Sequence, residues 1–170
     1  MLQIYQKQVP GYEDRVTLPV LWDKEKGQIV NNESSEIMRI LNSEFNSLAT
    51  NPNLELFPAE LESQIMETNE WVYNQINNGV YKCGFAQSQE AYDESMDLLF
   101  SGLQKAEEML EGRNYLVGEK MSFVDLRLFM TLIRFDPVYV VYFKTNLKMI
   151  KEFKNLSKFV KHLYHDLGLK

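Results

Sequence analysis

The sequence predicts a mainly helical chain whose N-terminal part is a β-hairpin followed by one helix. Three observations carry this expectation. After Pro58, apolar residues recur at three- and four-residue spacing over most of the chain. Before residue 31, two short apolar runs flank a charged turn that ends in Gly27. Between these regions, Asn51-Pro52-Asn53 interrupts both patterns and marks a linker.

The elements follow in order. Residues 1–14 are polar, with Pro10-Gly11 as a turn, and read as the tail of a loop. Val16, Leu18, Val20 and Trp22 alternate as a strand would, and Gln28-Ile29-Val30 supplies the second arm of the hairpin. Pro19 has no N–H for a ladder, so it belongs on an edge or in a special backbone such as a cis bond. Ile37, Ile40, Leu41 and Phe45 then recur at helical spacing, with capping side chains offered by Asn32, Glu33, Ser34 and Ser35.

Beyond the linker, Pro58 suits a first helical position, and Leu61, Ile65, Trp71, Val72 and Ile76 trace a buried stripe that Asn77-Asn78-Gly79 should end. A second long helix after Ser88 points Tyr92, Met96, Leu99, Leu103, Ala106 and Leu110 inward, until Gly112. Ser122-Phe123-Val124-Asp125 is a capping box, opening a helix with Leu126, Phe129, Met130 and Ile133 on its apolar face. Asp136-Pro137 should break that helix, and further helix is expected over 138–150 and 157–167.

Composition narrows the function. The 45% hydrophobic content supports a packed core, and the net charge of −6 disfavours bulk nucleic-acid binding. No apolar run approaches the roughly 18 residues of a membrane span. The single cysteine, Cys83, excludes an internal disulfide and suits a reducing, cytoplasmic setting. His162 and His165 share a helix face but lack the cysteine or carboxylate set of a metal site, so no metal is expected.

Several residues could carry chemistry, each with a plain structural alternative. Glu33-Ser34 is either an ordinary helix cap or a seat for an α-amino-acid group. In the second case the helix N-terminus and serine take the carboxylate and the glutamate takes the ammonium, which suits the γ-glutamyl end of glutathione. Leu18-Pro19 is either an edge-strand proline or a cis bond that turns the preceding backbone toward a peptide ligand. Tyr81 and Tyr139, each placed just after an expected helix end, are either half-buried structural phenols or the walls of an aromatic-ligand pocket. Cys83 is a structural thiol or one activated by adjacent Lys82, and it lacks a helix start and a neighbouring proline. Lys144, Lys148, Lys151, Lys154, Lys158 and Lys161 form a solvated face opposite Phe143, Leu147, Ile150, Phe159 and Leu163, or a surface for anionic partners.

These segments together resemble the glutathionyl-hydroquinone reductases, the Xi class of glutathione transferases, which are related to the Omega class. The likeness is carried by TLPVLWDKEKGQIVNNESSEIMRILNSEFN, by NNGVYKCGFAQSQEAYD and by YLVGEKMSFVDLRLFMTLIRFDPVYVVYFKTNLK. It implies residues 1–50 as the second half of a thioredoxin-like, glutathione-binding domain, 51–57 as linker and 58–170 as the all-α transferase C-terminal domain. Leu18, where the family more often has valine, would precede the cis-proline Pro19 and hold the cysteinyl part of glutathione through its backbone. Glu33 and Ser34 would grip the γ-glutamyl group, and Tyr81 and Tyr139 would line the quinol pocket.

The implied reaction is glutathione-dependent reduction of glutathionylated quinols by a homodimeric enzyme, through a cysteine in a Cys-Pro-Trp motif. No Cys-Pro-Trp occurs in these 170 residues, and Cys83 matches the family's YKCGFA block rather than the nucleophile. Measured against the family, the chain is expected to be truncated at both ends, lacking the first strand, helix and second strand and the C-terminal tail. The alternative is a non-catalytic binding or interaction module.

Overall fold

The computed structural model describes residues 1–169 and divides the chain into two compact units, Met1–Glu55 and Leu56 onward. The N-terminal unit contains α1 (Leu2–Gln8), β1 (Leu21–Asp23), β2 (Gln28–Asn31) and α2 (Ser34–Ser43), followed by a 3₁₀ turn over Asn46–Leu48. The helical unit contains α3 (Glu62–Trp71), α4 (Gly79–Gly84), α5 (Gln89–Met109), α6 (Phe123–Arg134), α7 (Val140–Tyr142) and α8 (Lys154–Lys161).

The hairpin is antiparallel, with Trp22 opposite Ile29 and Asp23 opposite Gln28. Asp23 Oδ1 accepts from Glu25 N and Lys26 N, both at 2.9 Å, and Gly27 closes the turn at φ 65°. The first strand is shorter than its alternation predicts. Residues 16–20 form no ladder, and Leu18-Pro19 is cis, which is the special backbone that the proline called for.

Residues 2–8 form a helix where a loop tail is expected. A seven-residue helix with one buried side chain, Tyr5, carries no periodic stripe, and tertiary bonds rather than propensity hold it. Gln8 Oε1 accepts from Ile29 N at 2.7 Å, and the Tyr5 and Tyr12 rings lie 5.0 Å apart. Pro10-Gly11 does form the expected turn, with Gly11 at φ 79°.

In the helical unit, Pro58 opens a turn, Leu61 N bonding Pro58 O, and the helix proper starts at Glu62. Asn77-Asn78-Gly79 does not end it. The chain widens into a π turn over Val72–Asn77 and continues as α4. Asn77 Nδ2 is occupied across the core by Arg127 O at 2.9 Å and Thr131 Oγ1 at 2.7 Å. Gly79 serves close packing, because a Cβ there would meet Leu99 Cδ1 at 3.3 Å.

The same device carries α6 past Asp136-Pro137. A π turn over Phe135–Tyr139 admits a residue with no N–H to give, and helix resumes as α7. The helix then stops at Tyr142 instead of running to 150, since Lys144 turns left-handed at φ 61°. Leu147, expected to face inward, is consequently 72% exposed. Ile150 and Lys151 amides donate instead to the Asp136 carboxylate, at 2.6 and 3.2 Å.

α5 begins at Ser88, whose Oγ accepts from Ala91 N, and buries Leu99, Leu103 and Ala106 as its spacing predicts. α6 is more enclosed than its sequence suggests. Phe123, Val124, Leu128 and Leu132 are deeply buried, whereas Met130 is 48% exposed. Its capping box is closed, with Asp125 Oδ2 accepting from Ser122 N and Ser122 Oγ at 2.8 Å and Oδ1 accepting from Leu116 N at 2.8 Å.

Candidate functional site

The N-terminal unit presents a helix N-terminus whose donors stay open. None of the four capping candidates caps α2: Glu33 is the N-cap residue with no side-chain cap bond. Its amide donates to Asn31 Oδ1 at 2.7 Å, and its carbonyl accepts from Ile37 N at 2.9 Å. The Ser34 and Ser35 amides find no acceptor among the described residues, which leaves a partial positive charge at the exposed end of a ten-residue helix. An anionic group fits there, with the Glu33 carboxylate beside it for a cation.

Leu18 and Pro19 lie on the same unit, with the Leu18 side chain 71% exposed. Their segment is tied to the start of α2 through Tyr5 and Thr17, which the sequence did not single out, and through Asn32, which it offered only as a helix cap. Tyr5 Oη donates to Thr17 O at 3.0 Å, and Asn32 Nδ2 donates to Thr17 Oγ1 at 2.9 Å and to Tyr5 Oη at 3.3 Å. Thr17 and Asn32 immediately precede Leu18-Pro19 and Glu33-Ser34. Isolated polar residues carry no periodicity, so only the fold reveals their meeting.

In the helical unit, Tyr81 and Tyr139 meet directly, their hydroxyls 3.4 Å apart. Both sit on continuous helical chain rather than on loops, because the expected helix ends became a π turn and a restart. Phe143 packs edge-on against Tyr81 at 5.4 Å between centroids and lies 5.5 Å from Tyr139, while Phe85 flanks Tyr81 at 6.3 Å. Gly84 is required by this cluster, since a Cβ would collide with the Phe143 ring. Tyr81 is 45% exposed and Tyr139 6%, so one phenol faces solvent and the other backs it. Burial first, then the Tyr81 hydrogen bond, pushes the Tyr139 phenol up to about 12. It therefore remains a neutral hydrogen-bonding group at physiological pH, suited to a polar aromatic ligand.

Cys83 is buried at 3% exposure, and burial pushes its thiol up to about 11. Lys82 does not activate it, because Lys82 Nζ donates to Asn74 O at 3.3 Å. His162 and His165 form no metal pair. His162 Nδ1 lies 2.8 Å from Asp166 Oδ2 and Nε2 lies 3.3 Å from Tyr115 Oη, and His165 is exposed. Among the described residues no group of three or more His, Cys, Asp or Glu could hold a metal ion. No helix among them is long and apolar enough to cross a membrane.

The lysines Lys144, Lys151, Lys154, Lys158 and Lys161 are solvated, as expected. Lys148 instead lies over the Phe153 ring at 3.8 Å. An open cleft of about 630 Å³ beside them, lined by Lys154, Lys158, Lys161 and His162, also contains Asp166 and includes neither of the paired tyrosines.

Comparison with known proteins shows what the chain is similar to. The chain is 44% identical over 169 residues to the glutathionyl-hydroquinone reductase YqjG of Escherichia coli, covering 99% of this chain and 51% of that protein. It is 48% identical over 160 residues to the glutathionyl-hydroquinone reductase PcpF of Sphingobium chlorophenolicum, covering 94% and 51%. By sequence and by fold, the chain is a relative of the Xi-class glutathione transferases. The family model for the glutathione S-transferase C-terminal domain matches residues 89–162.

The Xi transferase of Phanerochaete chrysosporium superposes with a TM-score of 0.91 at 49% identity, over 96% of this chain and 56% of that one. The glutathione-bound structure of Escherichia coli YqjG also gives 0.91, at 44% identity, over 96% and 53%. The mainly helical class, with a two-stranded hairpin ahead of the helices, matches these Xi structures over nearly all of this chain. The chain spans about half the length of the curated relatives it matches.

Proposed function

We propose that this chain supplies the glutathione- and quinol-holding parts of an enzyme that reduces glutathionylated hydroquinones with glutathione. The observation that carries this reading is the uncapped N-terminus of α2, with Glu33 at its edge and Leu18-Pro19 tied to it through Thr17 and Asn32. Residues 1–50 are the glutathione-binding half, 51–57 the linker and 58–170 the transferase helical domain. The Leu18 backbone, preceding Pro19, pairs with the cysteinyl part of the ligand. Ser34 and the helix amides take the γ-glutamyl carboxylate, and Glu33 takes its ammonium group. The paired hydroxyls of Tyr81 and Tyr139 orient the quinol, with the buried Tyr139 phenol staying neutral.

In the reaction so assigned, the carbon–sulfur bond of the glutathionyl-hydroquinone breaks. The ring carbon takes a proton, and the sulfur forms a mixed disulfide with an enzyme cysteine. The thiolate of a second glutathione attacks that disulfide, giving oxidised glutathione and restoring the cysteine. Glutathione is thus a substrate and no metal takes part. The enzyme acts as a homodimer in a reducing, cytoplasmic setting.

The cysteine of this reaction is assigned outside the 170 residues, since a buried thiol raised to about 11 is not a nucleophile near neutral pH. That observation favours a second reading for the chain taken alone: a transferase-like binding module without turnover.

Two measurements test these assignments. Glutathione titrated into the isotopically labelled chain should shift the Ser34 and Ser35 amides, and Glu33→Gln should weaken that binding roughly tenfold, the loss of one charge-assisted bond. Incubated with a glutathionylated hydroquinone and glutathione, the 170-residue chain should give no thiol-dependent turnover. Turnover that disappears in Cys83→Ser would place the nucleophile inside the chain and overturn the assignment.

A further inference from the structure

The N-terminal unit contains a hydrogen-bonded junction that joins the two segments assigned to glutathione. Tyr5 Oη donates to Thr17 O at 3.0 Å and lies 3.2 Å from Thr17 Oγ1. It accepts from Thr17 N and from Asn32 Nδ2, both at 3.3 Å. Asn32 Nδ2 also donates to Thr17 Oγ1 at 2.9 Å, closing a triangle among α1, the segment before Leu18-Pro19 and the residue before Glu33-Ser34. The Tyr5 ring is 7% exposed, so its oxygen is delivered to this point by packing.

We infer that Tyr5 is a positioning residue for peptide-ligand binding, its hydroxyl fixing the Leu18 backbone in register with the N-terminus of α2. The inference rests on the glutathione reading given above. The physical need is plain. A γ-glutamyl-cysteinyl ligand must meet a helix end and a strand-like backbone together, and a misplacement of one relative to the other sacrifices one set of bonds. Residues 16–20 belong to no sheet ladder, so backbone pairing does not set their register against α2. The triangle at Tyr5 Oη connects them through side chains. The Thr17 bond lowers the phenol's pKa, as expected for an oxygen that receives donors from two sides.

A merely structural strut would affect every ligand alike, and a register lock would not. L-Glutamine carries the α-amino-acid head and side-chain amide of the γ-glutamyl group but no cysteinyl backbone, so it engages only the helix end. The test titrates glutathione and L-glutamine separately into the labelled 170-residue chain, following the Ser34 and Ser35 amides. Tyr5→Phe keeps the ring and removes the oxygen. It should weaken glutathione roughly fivefold to tenfold while leaving glutamine unchanged.

Thr17→Val should do the same and Thr17→Ser should behave as the parent, so this pair carries the test if Tyr5→Phe does not fold. Equal losses for both ligands, or no loss for either, would overturn the inference while leaving the glutathione reading intact. Glu33→Gln, which addresses that reading itself, should weaken both ligands. Failure of the unsubstituted chain to bind either ligand would overturn the reading and the inference with it.

Discussion

The two units of this chain are held together by different physics. The helical unit buries Ile65, Val72, Ile76, Val80, Leu99, Leu103, Phe123, Leu128 and Phe135 to 0% exposure. Among the described residues of the N-terminal unit, the buried apolar side chains are Tyr5 and Ile37, at 7% and 8%. Its order comes instead from directed bonds: Tyr5 to Thr17, Asn32 to Thr17, Gln8 to Ile29, Asp23 to its own turn. Apolar burial is additive and tolerant of direction, whereas a hydrogen bond is worth about 1 kcal/mol and depends on geometry. The helical unit is thereby a scaffold, and the N-terminal unit a set of placed backbone groups.

The largest expected effect lies in the scaffold. Leu99 is fully buried and packs over Gly79, where a Cβ would already be in close contact. Leu99→Ala removes three carbons from a site walled by helices and should cost about 2–5 kcal/mol in chemical denaturation. A loss below about 1 kcal/mol would mean that the helices collapse freely around the gap, and the contrast between units would fail.

A smaller effect comes from the polar group inside that scaffold. The Asp125 carboxyl is fully buried, accepts from Leu116 N, Ser122 N and Ser122 Oγ, and burial pushes it up from 3.8 to about 6. Asp125→Asn keeps the shape but turns a donor toward donors, and should cost about 1–3 kcal/mol at pH 7. Because the folded pKa is raised, the folded chain holds a proton that the unfolded chain releases across the window from 3.8 to about 6. This group's contribution to stability therefore falls as the pH rises through the window and is level above it. The stability gap between parent and Asp125→Asn should widen on going from pH 7 to pH 4, and a narrowing gap would show that folding favours the ionised carboxylate.

The same contrast explains what the sequence could reveal. Periodic burial is written in spacing, so the Leu99–Leu103–Ala106 face of α5 and the Ser122–Asp125 box are legible directly. Breaker residues are legible only as types. Asn77-Asn78-Gly79 and Asp136-Pro137 look like stops, but tertiary bonds from Asn77 and a widened turn at Pro137 let the helices continue. Tyr81 and Tyr139 are thus placed on helices, where their hydroxyls meet. In the N-terminal unit, α1 leaves no periodic trace, and the Tyr5–Thr17–Asn32 meeting joins positions 12 and 15 residues apart with no pattern between them. A site built from directed bonds is assembled by the fold, not by spacing.

The smallest predicted effect sharpens the contrast most. Gln8 Oε1 accepts the Ile29 amide at 2.7 Å, so one side chain of α1 covers an edge donor of β2. Gln8→Leu removes that acceptor without touching either core. If the N-terminal unit depends on separate bonds, the Ile29 amide should exchange with solvent roughly tenfold faster through local opening, with the denaturation midpoint of the helical unit unchanged. Exchange that accelerates equally at Ile29 and at Leu99 would mean that the units open together and that their stabilities are not separable. Unchanged exchange at Ile29 would mean that hairpin pairing alone protects it, leaving α1 to act on this unit through Tyr5.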